Sequence, residues 1–138
     1  MNSEIQIYSM PESDYEPIVD YKTWRVAVLK YCPNTRPENI HTMQKHEQTD
    51  EVFVLLSGNC ILYSAGNGDV PGEVLATKLE PDRVYNVPCG YWHNHTLDEG
   101  ASVLIIENQD TNDDNSPILP ISDGQKKELF RLYEENHK

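Results

Sequence analysis

Cysteine, basic residues and long apolar runs are all scarce in this sequence, and each scarcity removes a class of explanation. Its three cysteines, Cys32, Cys60 and Cys89, lie far apart and are odd in number. There is no CxxC pair, so neither a cysteine zinc site nor a redox dithiol is written here. The three read as reduced thiols of a cytoplasmic protein rather than as a disulfide framework. Lysine and arginine number 11 against 23 aspartates and glutamates, for a formal net charge of −12. Binding to a phosphate backbone or an anionic membrane needs a cationic surface, so no nucleic-acid or membrane partner is expected. No apolar run reaches the roughly 18 residues of a spanning helix. The opening stretch, MNSEIQIYSMPESDYEP, has acids where a secretory signal would be basic and then apolar.

At 138 residues the chain reads as one domain, long enough to bury a core without staples. Residues 1–20 mix the alternating pair Ile5 and Ile7 with prolines and acids, and read as an arm with at most one edge strand. From 21 to 110 the pattern is that of short strands separated by turns. Trp24 to Tyr31 is β-rich, with Trp24, Val26 and Val28 on one face. Pro33, Asn34 and Pro37 break the chain, and His41 to His46 is a polar strand candidate. Glu51 to Ser57 is apolar on both parities, as in a strand central to a sandwich or barrel. Ser57-Gly58-Asn59 turns it into a partner strand, Cys60 to Ser64, and Gly66-Asn67-Gly68-Asp69 marks a further loop. Glu73 to Leu79, Arg83 to Val87, Tyr91 to Leu97 and Ala101 to Glu107 complete a set of short strands expected of an all-β sandwich or barrel. Residues 111–138 read as a loop followed by a helix. Ser122 with Gln125 forms a capping box, and Leu129, Leu132 and Tyr133 make an apolar stripe that needs either the barrel or a partner subunit to pack on. Lys126 and Lys127 near the helix start and Glu134 and Glu135 near its end oppose the helix dipole, so packing has to hold it.

Two stretches carry the chemistry. In QKHEQTDEVFVLLSG, Gln44 and His46 share a strand face. Glu51 is five positions further on, an odd step, but the polar Glu47-Gln48-Thr49-Asp50 can turn and reset the parity. In PDRVYNVPCGYWHNH, Pro88 and Gly90 set a tight turn, after which His93 and His95 share a face with Trp92 and Asn94 opposite. His46, Glu51 and His93 together make a two-histidine, one-carboxylate set suited to a borderline divalent metal, the arrangement of non-haem iron(II) sites. Tyr63, Tyr85 and Tyr91 are candidates for an aromatic pocket wall.

These residues resemble the cupin superfamily. Its first motif, H-x-H, then three or four residues, E, six residues, G, is matched in spacing by Gln44, His46, Glu51 and Gly58, with Gln44 in place of the first histidine. Its second motif centres on P-x-G-x-x-H, matched by Pro88, Gly90 and His93. Pro81 replaces a glycine usual before Asp82, and Leu97 stands where an asparagine is usual. The resemblance spans about residues 44–97 and implies a cupin-type double-stranded β-helix, a jelly-roll-like barrel, with a C-terminal α-helix. It implies metal ligands at His46, Glu51 and His93 with Gln44 at the fourth position, a divalent transition metal (Fe, Mn, Ni or Zn), a small-molecule ligand and often a homodimer. Under it, His95 and Tyr63 are candidates to move protons in an enzyme acting on a small polar metabolite. A non-catalytic barrel that binds a sugar or acid is the alternative.

Overall fold

The computed structural model describes residues 4–137; Met1 to Ser3 of the expected arm and Lys138 lie outside the described residues. The described residues form ten strands and one α-helix. These are β1 (Tyr15–Tyr21), β2 (Trp24–Lys30), β3 (Thr42–Gln44), β4 (Glu51–Ser57), β5 (Cys60–Ser64), β6 (Leu75–Lys78), β7 (Tyr85–Val87), β8 (His93–Leu97), β9 (Ser102–Asn108), β10 (Ile118–Pro120) and α1 (Asp123–His137). Two five-stranded antiparallel sheets face each other, in the orders β1-β2-β9-β4-β7 and β10-β3-β8-β5-β6. The result is an all-β, jelly-roll-like barrel. The expected arm over 1–20 contributes most of β1 to the edge of the first sheet, and the alternating Ile5 and Ile7 lie ahead of that strand in no regular element.

Alternation along each strand sorts the residues into two cores. Between the sheets lie Ala27 and Leu29 of β2, Phe53 of β4, Cys60 and Leu62 of β5, Leu97 of β8, and Val103 and Ile105 of β9. The inward face of β2 is thus Arg25, Ala27 and Leu29, not the Trp24, Val26 and Val28 face that its larger apolar residues suggest. Those three lie on the opposite face with Val52, Val54, Leu104 and Ile106, where Val28 is fully buried and Trp24 is 42% exposed. The double-sided apolarity of β4 therefore reflects one buried face and one half-covered outer face.

The second core lies outside the other sheet. Met43, Ile61, Tyr63 and Trp92 point outward there and are roofed by α1 through Leu129, with Leu132 and Tyr133 beside it. The apolar stripe of α1 packs on its own barrel. Its start is fixed by the reciprocal capping box: the Gln125 backbone N–H donates to Ser122 Oγ at 3.1 Å, and the Ser122 N–H donates to Gln125 Oε1 at 2.7 Å. Gln125 Nε2 also donates to the carbonyls of Pro71 and Gly72, tying that first turn to the loop before β6. Pro117 to Pro120, which leads into the helix, forms β10 and pairs with β3 from Ile118↔Gln44 to Pro120↔Thr42. That pairing brings the segment before the helix to the mouth of the barrel.

Candidate metal centre

The two motif stretches are stitched together by backbone hydrogen bonds before any side chain is considered. β3 ends at Gln44 in one sheet and β4 begins at Glu51 in the other, so the polar residues between them cross the mouth of the barrel and reset the side-chain parity. The Gly90 N–H donates to the His46 carbonyl at 2.7 Å, and the Cys89 N–H donates to Asp50 Oδ1 at 2.7 Å. Gly90 holds a φ of 86°, a left-handed conformation that glycine adopts at no steric cost. A third segment closes the ring: the Lys45 and Glu47 N–H groups donate to the carbonyls of Pro117 and Asn115.

His46, Glu51 and His93 are all buried and meet at one point. Their ligand atoms lie within 4.8 Å of one another. His93 Nε2 is 2.8 Å and His46 Nε2 is 3.2 Å from the same oxygen, Glu51 Oε1. The opposite ring nitrogens fix the tautomers. His93 Nδ1 faces the Tyr91 carbonyl at 3.0 Å, and a carbonyl only accepts, so Nδ1 carries the proton. His46 Nδ1 lies 2.7 Å from Ser116 Oγ, whose own hydroxyl donates to Asn115 Oδ1, so this Nδ1 also donates. With a single proton on each ring, both imidazoles turn Nε2 lone pairs toward a carboxylate oxygen; a second proton on Nε2 would instead donate to it. Three acceptors around one point require a positive species between them, and the orienting bonds on both Nδ1 atoms are those found behind metal-ligating histidines. The donor set fits a divalent transition ion.

The charges agree with that geometry. Burial would raise the Glu51 carboxyl, but its hydrogen bonds with His46 and His93 outweigh burial and hold it well below the usual carboxylate range. Burial likewise opposes a charged His93, yet the bond to Glu51 lifts it above an ordinary histidine. Two residues that sequence reasoning missed stand beside this group. Glu107, 6% exposed, gives Oε1 to the Arg25 guanidinium at 2.7 Å and holds Oε2 3.8 Å from His46 Nε2. Burial and the nearby Glu51 charge push its carboxyl up to about 7, against the pull of Arg25. The available signal was a charge on the inward parity of an apolar strand: Glu107 follows Val103 and Ile105, and Arg25 precedes Ala27 and Leu29.

A cavity of about 370 Å³ opens over the group, a size suited to a small molecule. Gln44, His46, Glu51, His93 and His95 all line it. Gln44 pairs in register with His93, and its amide nitrogen donates to the Ser116 carbonyl at 3.0 Å. His95 sits deeper, its ring centroid 6.0 Å from Phe53, and burial pushes it down to about 4, so the ring is neutral. The structure does not bring Tyr63 to this cavity. Cys60 and Leu62 of β5 point between the sheets, so Tyr63 points outward beneath α1, where its hydroxyl bonds Thr96 Oγ1 at 3.0 Å. Tyr85 and Tyr91 lie with it around a separate depression, and the tyrosine on the cavity wall is Tyr15 of β1.

Among the described residues, three buried side-chain polar atoms have no hydrogen-bond partner: Arg25 Nε, His95 Nδ1 and Glu107 Oε2. All three belong to residues lining this one cavity. Orphaned polar atoms are costly, so their gathering in one place marks a polar site.

Comparison with solved structures agrees on the fold. A cupin-2 domain containing protein from Shewanella frigidimarina superposes with a TM-score of 0.50 at 19% identity, covering 74% of this chain and 85% of its own. KdgF from a Halomonas species gives a TM-score of 0.52 at 14% identity, with coverages of 72% and 82%. CapF, solved with the inhibitor 3-isopropenyl-tropolone, gives 0.52 at 19% identity over 82% of this chain but only 34% of its own. No family model matches the chain, and no curated protein matches it. The chain has the cupin fold.

Proposed function

We propose that this protein is a metal-dependent cupin enzyme acting on a small polar metabolite. His46, Glu51 and His93 hold the ion, one of iron, manganese, nickel or zinc, and Gln44 lies beside them. The observation that carries this reading is the convergence of two tautomer-fixed Nε2 lone pairs and one carboxylate oxygen at the base of a 370 Å³ cavity. A bound ion supplies Lewis-acid or redox chemistry to a substrate oxygen. The chain's own residues do the rest: Arg25 presents its unpartnered Nε–H as a donor to the substrate, and neutral His95 offers an uncharged nitrogen that can take or give a proton. The alternative, a barrel that binds a sugar or acid without turnover, draws on Gln44, because an amide oxygen is a weaker ligand than the imidazole it replaces. The three free cysteines support a reducing, cytoplasmic setting. The outer surface around Trp24, Val54 and Leu56 supports a homodimer, which light scattering at micromolar concentration tests; a monomer there removes it.

The deciding experiment is the metal content of untagged protein purified without nickel resin or chelator, beside a His46→Ala, Glu51→Ala double variant. Near-stoichiometric metal in the parent, lost in the variant, is the expected result. A parent that carries none and takes up none on titration overturns the metalloenzyme reading.

A further inference from the structure

The cavity holds more negative charge than the three converging residues explain. Glu107 reaches the same space from the neighbouring strand β9, which pairs with β4 through Val52↔Ile106 and so sets Glu51 and Glu107 on the same inward face. Its side chain is 4% exposed. Arg25 takes one oxygen, and the guanidinium is itself pinned by the carbonyls of Gln109 at 3.3 Å and Thr111 at 3.4 Å, so Glu107 cannot swing away freely. The other oxygen is left without a hydrogen-bond partner, 3.8 Å from His46 Nε2. A buried carboxylate oxygen aimed at a nitrogen lone pair, with no donor between them, is a ligand atom in waiting. Meanwhile Gln44, the residue at the motif position for a fourth ligand, has its amide nitrogen committed to the Ser116 carbonyl.

We propose that Glu107, not Gln44, supplies the fourth protein ligand, giving a two-histidine, two-carboxylate cation site anchored by Arg25. This rests on the metal reading above and deepens it. Glu107 stands beside the group of three, with its free oxygen 3.8 Å from His46 Nε2, and the terminal torsion of a glutamate side chain is broad enough to adjust to an ion. Two carboxylates balance a divalent ion, while Arg25 neutralises part of the excess. A set richer in oxygen donors shifts preference toward manganese(II) and iron(II) within the group of ions considered.

The test uses the full chain stripped of metal. Manganese(II) uptake is followed by loss of the free-ion electron paramagnetic resonance signal, and cobalt(II) uptake by its ligand-field absorption. Parent, Glu107→Gln, Glu107→Asp, Gln44→Ala and Glu51→Gln are compared, with circular dichroism confirming the fold. Loss of an outer-shell partner costs metal sites about tenfold or more, so Glu107→Gln is expected to weaken manganese binding by at least that factor. Glu107→Gln is also expected to change the cobalt spectrum. Glu107→Asp keeps the charge but withdraws the oxygen, and is expected to change the spectrum as well; if the glutamine variant fails to fold, this variant decides. Gln44→Ala should leave affinity and spectrum near parental. A parental cobalt spectrum in both Glu107 variants overturns the proposal, whatever the affinity, because charge alone would then account for it. A spectrum altered by Gln44→Ala but not by the Glu107 variants also overturns it. If the parent takes up neither ion, the underlying metal reading fails and this proposal with it, whereas uptake lost only in Glu51→Gln preserves that reading and rejects Glu107.

Discussion

Loading the site with its ion should raise the melting temperature of the protein by an amount that can be worked out beforehand. The three donors come from the loop after β3, the start of β4 and the start of β8, and Glu51 and His93 are 42 positions apart in sequence. They converge only when both sheets have formed, so the unfolded chain offers no comparable site and the binding energy adds to folding stability. At a free ion concentration one hundred times the dissociation constant, the gain is about 2.7 kcal/mol. A 138-residue chain with an unfolding entropy of about 2.1 cal/mol/K per residue has a total near 0.29 kcal/mol/K, so the midpoint should rise by about 9 °C. Scanning calorimetry of metal-stripped protein, titrated in turn with manganese, nickel, zinc and, under anaerobic conditions, iron(II), measures this directly. In Glu51→Gln the shift should collapse, because the carboxylate oxygen shared by both histidines is gone. A shift of equal size in that variant would place the ion elsewhere, and no shift with any of the four ions would refute the reasoning.

The metal-free protein should lose stability as pH rises from about 6.5 to 8. The raised His93 contributes fully below its unfolded value and less as pH climbs through its folded one, the depressed Glu51 is lost only on the acid side, and Glu107 and His95, shifted to about 7 and about 4, pull oppositely and largely cancel between about 4.5 and 6.5; a urea midpoint that rises over pH 6.5 to 8 would sink this. Gly58→Ala should lower stability by about 1–3 kcal/mol, seen as a lower urea midpoint with an unchanged slope. Gly58 has a φ of 72° and its added Cβ would sit 2.7 Å from Ala101 Cα; an unchanged midpoint would show that the β4–β5 turn can relax. Under native conditions a thiol reagent should label Cys89, which is exposed, and spare Cys60, whose buried thiol is pushed up to about 12. Rapid labelling of Cys60 without denaturant would mean that the core between the sheets opens far more often than its burial allows.

The spacing of Gln44, His46, Glu51 and Gly58, and of Pro88, Gly90 and His93, was readable because turn residues and ligands both sit at fixed offsets from strand ends. Those offsets placed the convergent group correctly on facing strands. Arg25 and Glu107 were not readable by motif spacing, since each is a single charge near the end of an apolar strand, and only strand parity with Ala27 and Leu29, or with Val103 and Ile105, turns it inward. For β2 the shared face of Trp24, Val26 and Val28 was legible, but not which face turns inward; the face between the sheets carries Ala27 and Leu29, beside Phe53. Tyr63 was misassigned for a related reason. An aromatic on a strand next to the site looks like a pocket wall until the helix on the outer face is known to need a partner, and Tyr63 fills that role. β10 escaped notice because three residues that follow Pro117 and end on Pro120 read as a lead into α1; only its pairing with β3 makes it a strand.

His46, two residues past the end of β3, and His93 of β8 are tied to the sheet that carries α1, whereas Glu51 belongs to the opposite sheet, through β4. A cation held by all three would therefore be a rivet between two layers that pack mainly through apolar contacts. The cavity above gives such an ion a path out, so its release rate would combine ligand exchange with any parting of the two layers. Substitutions that tighten the seam far from the site, around Phe53 and Leu97, should then lengthen the residence of an ion they never touch.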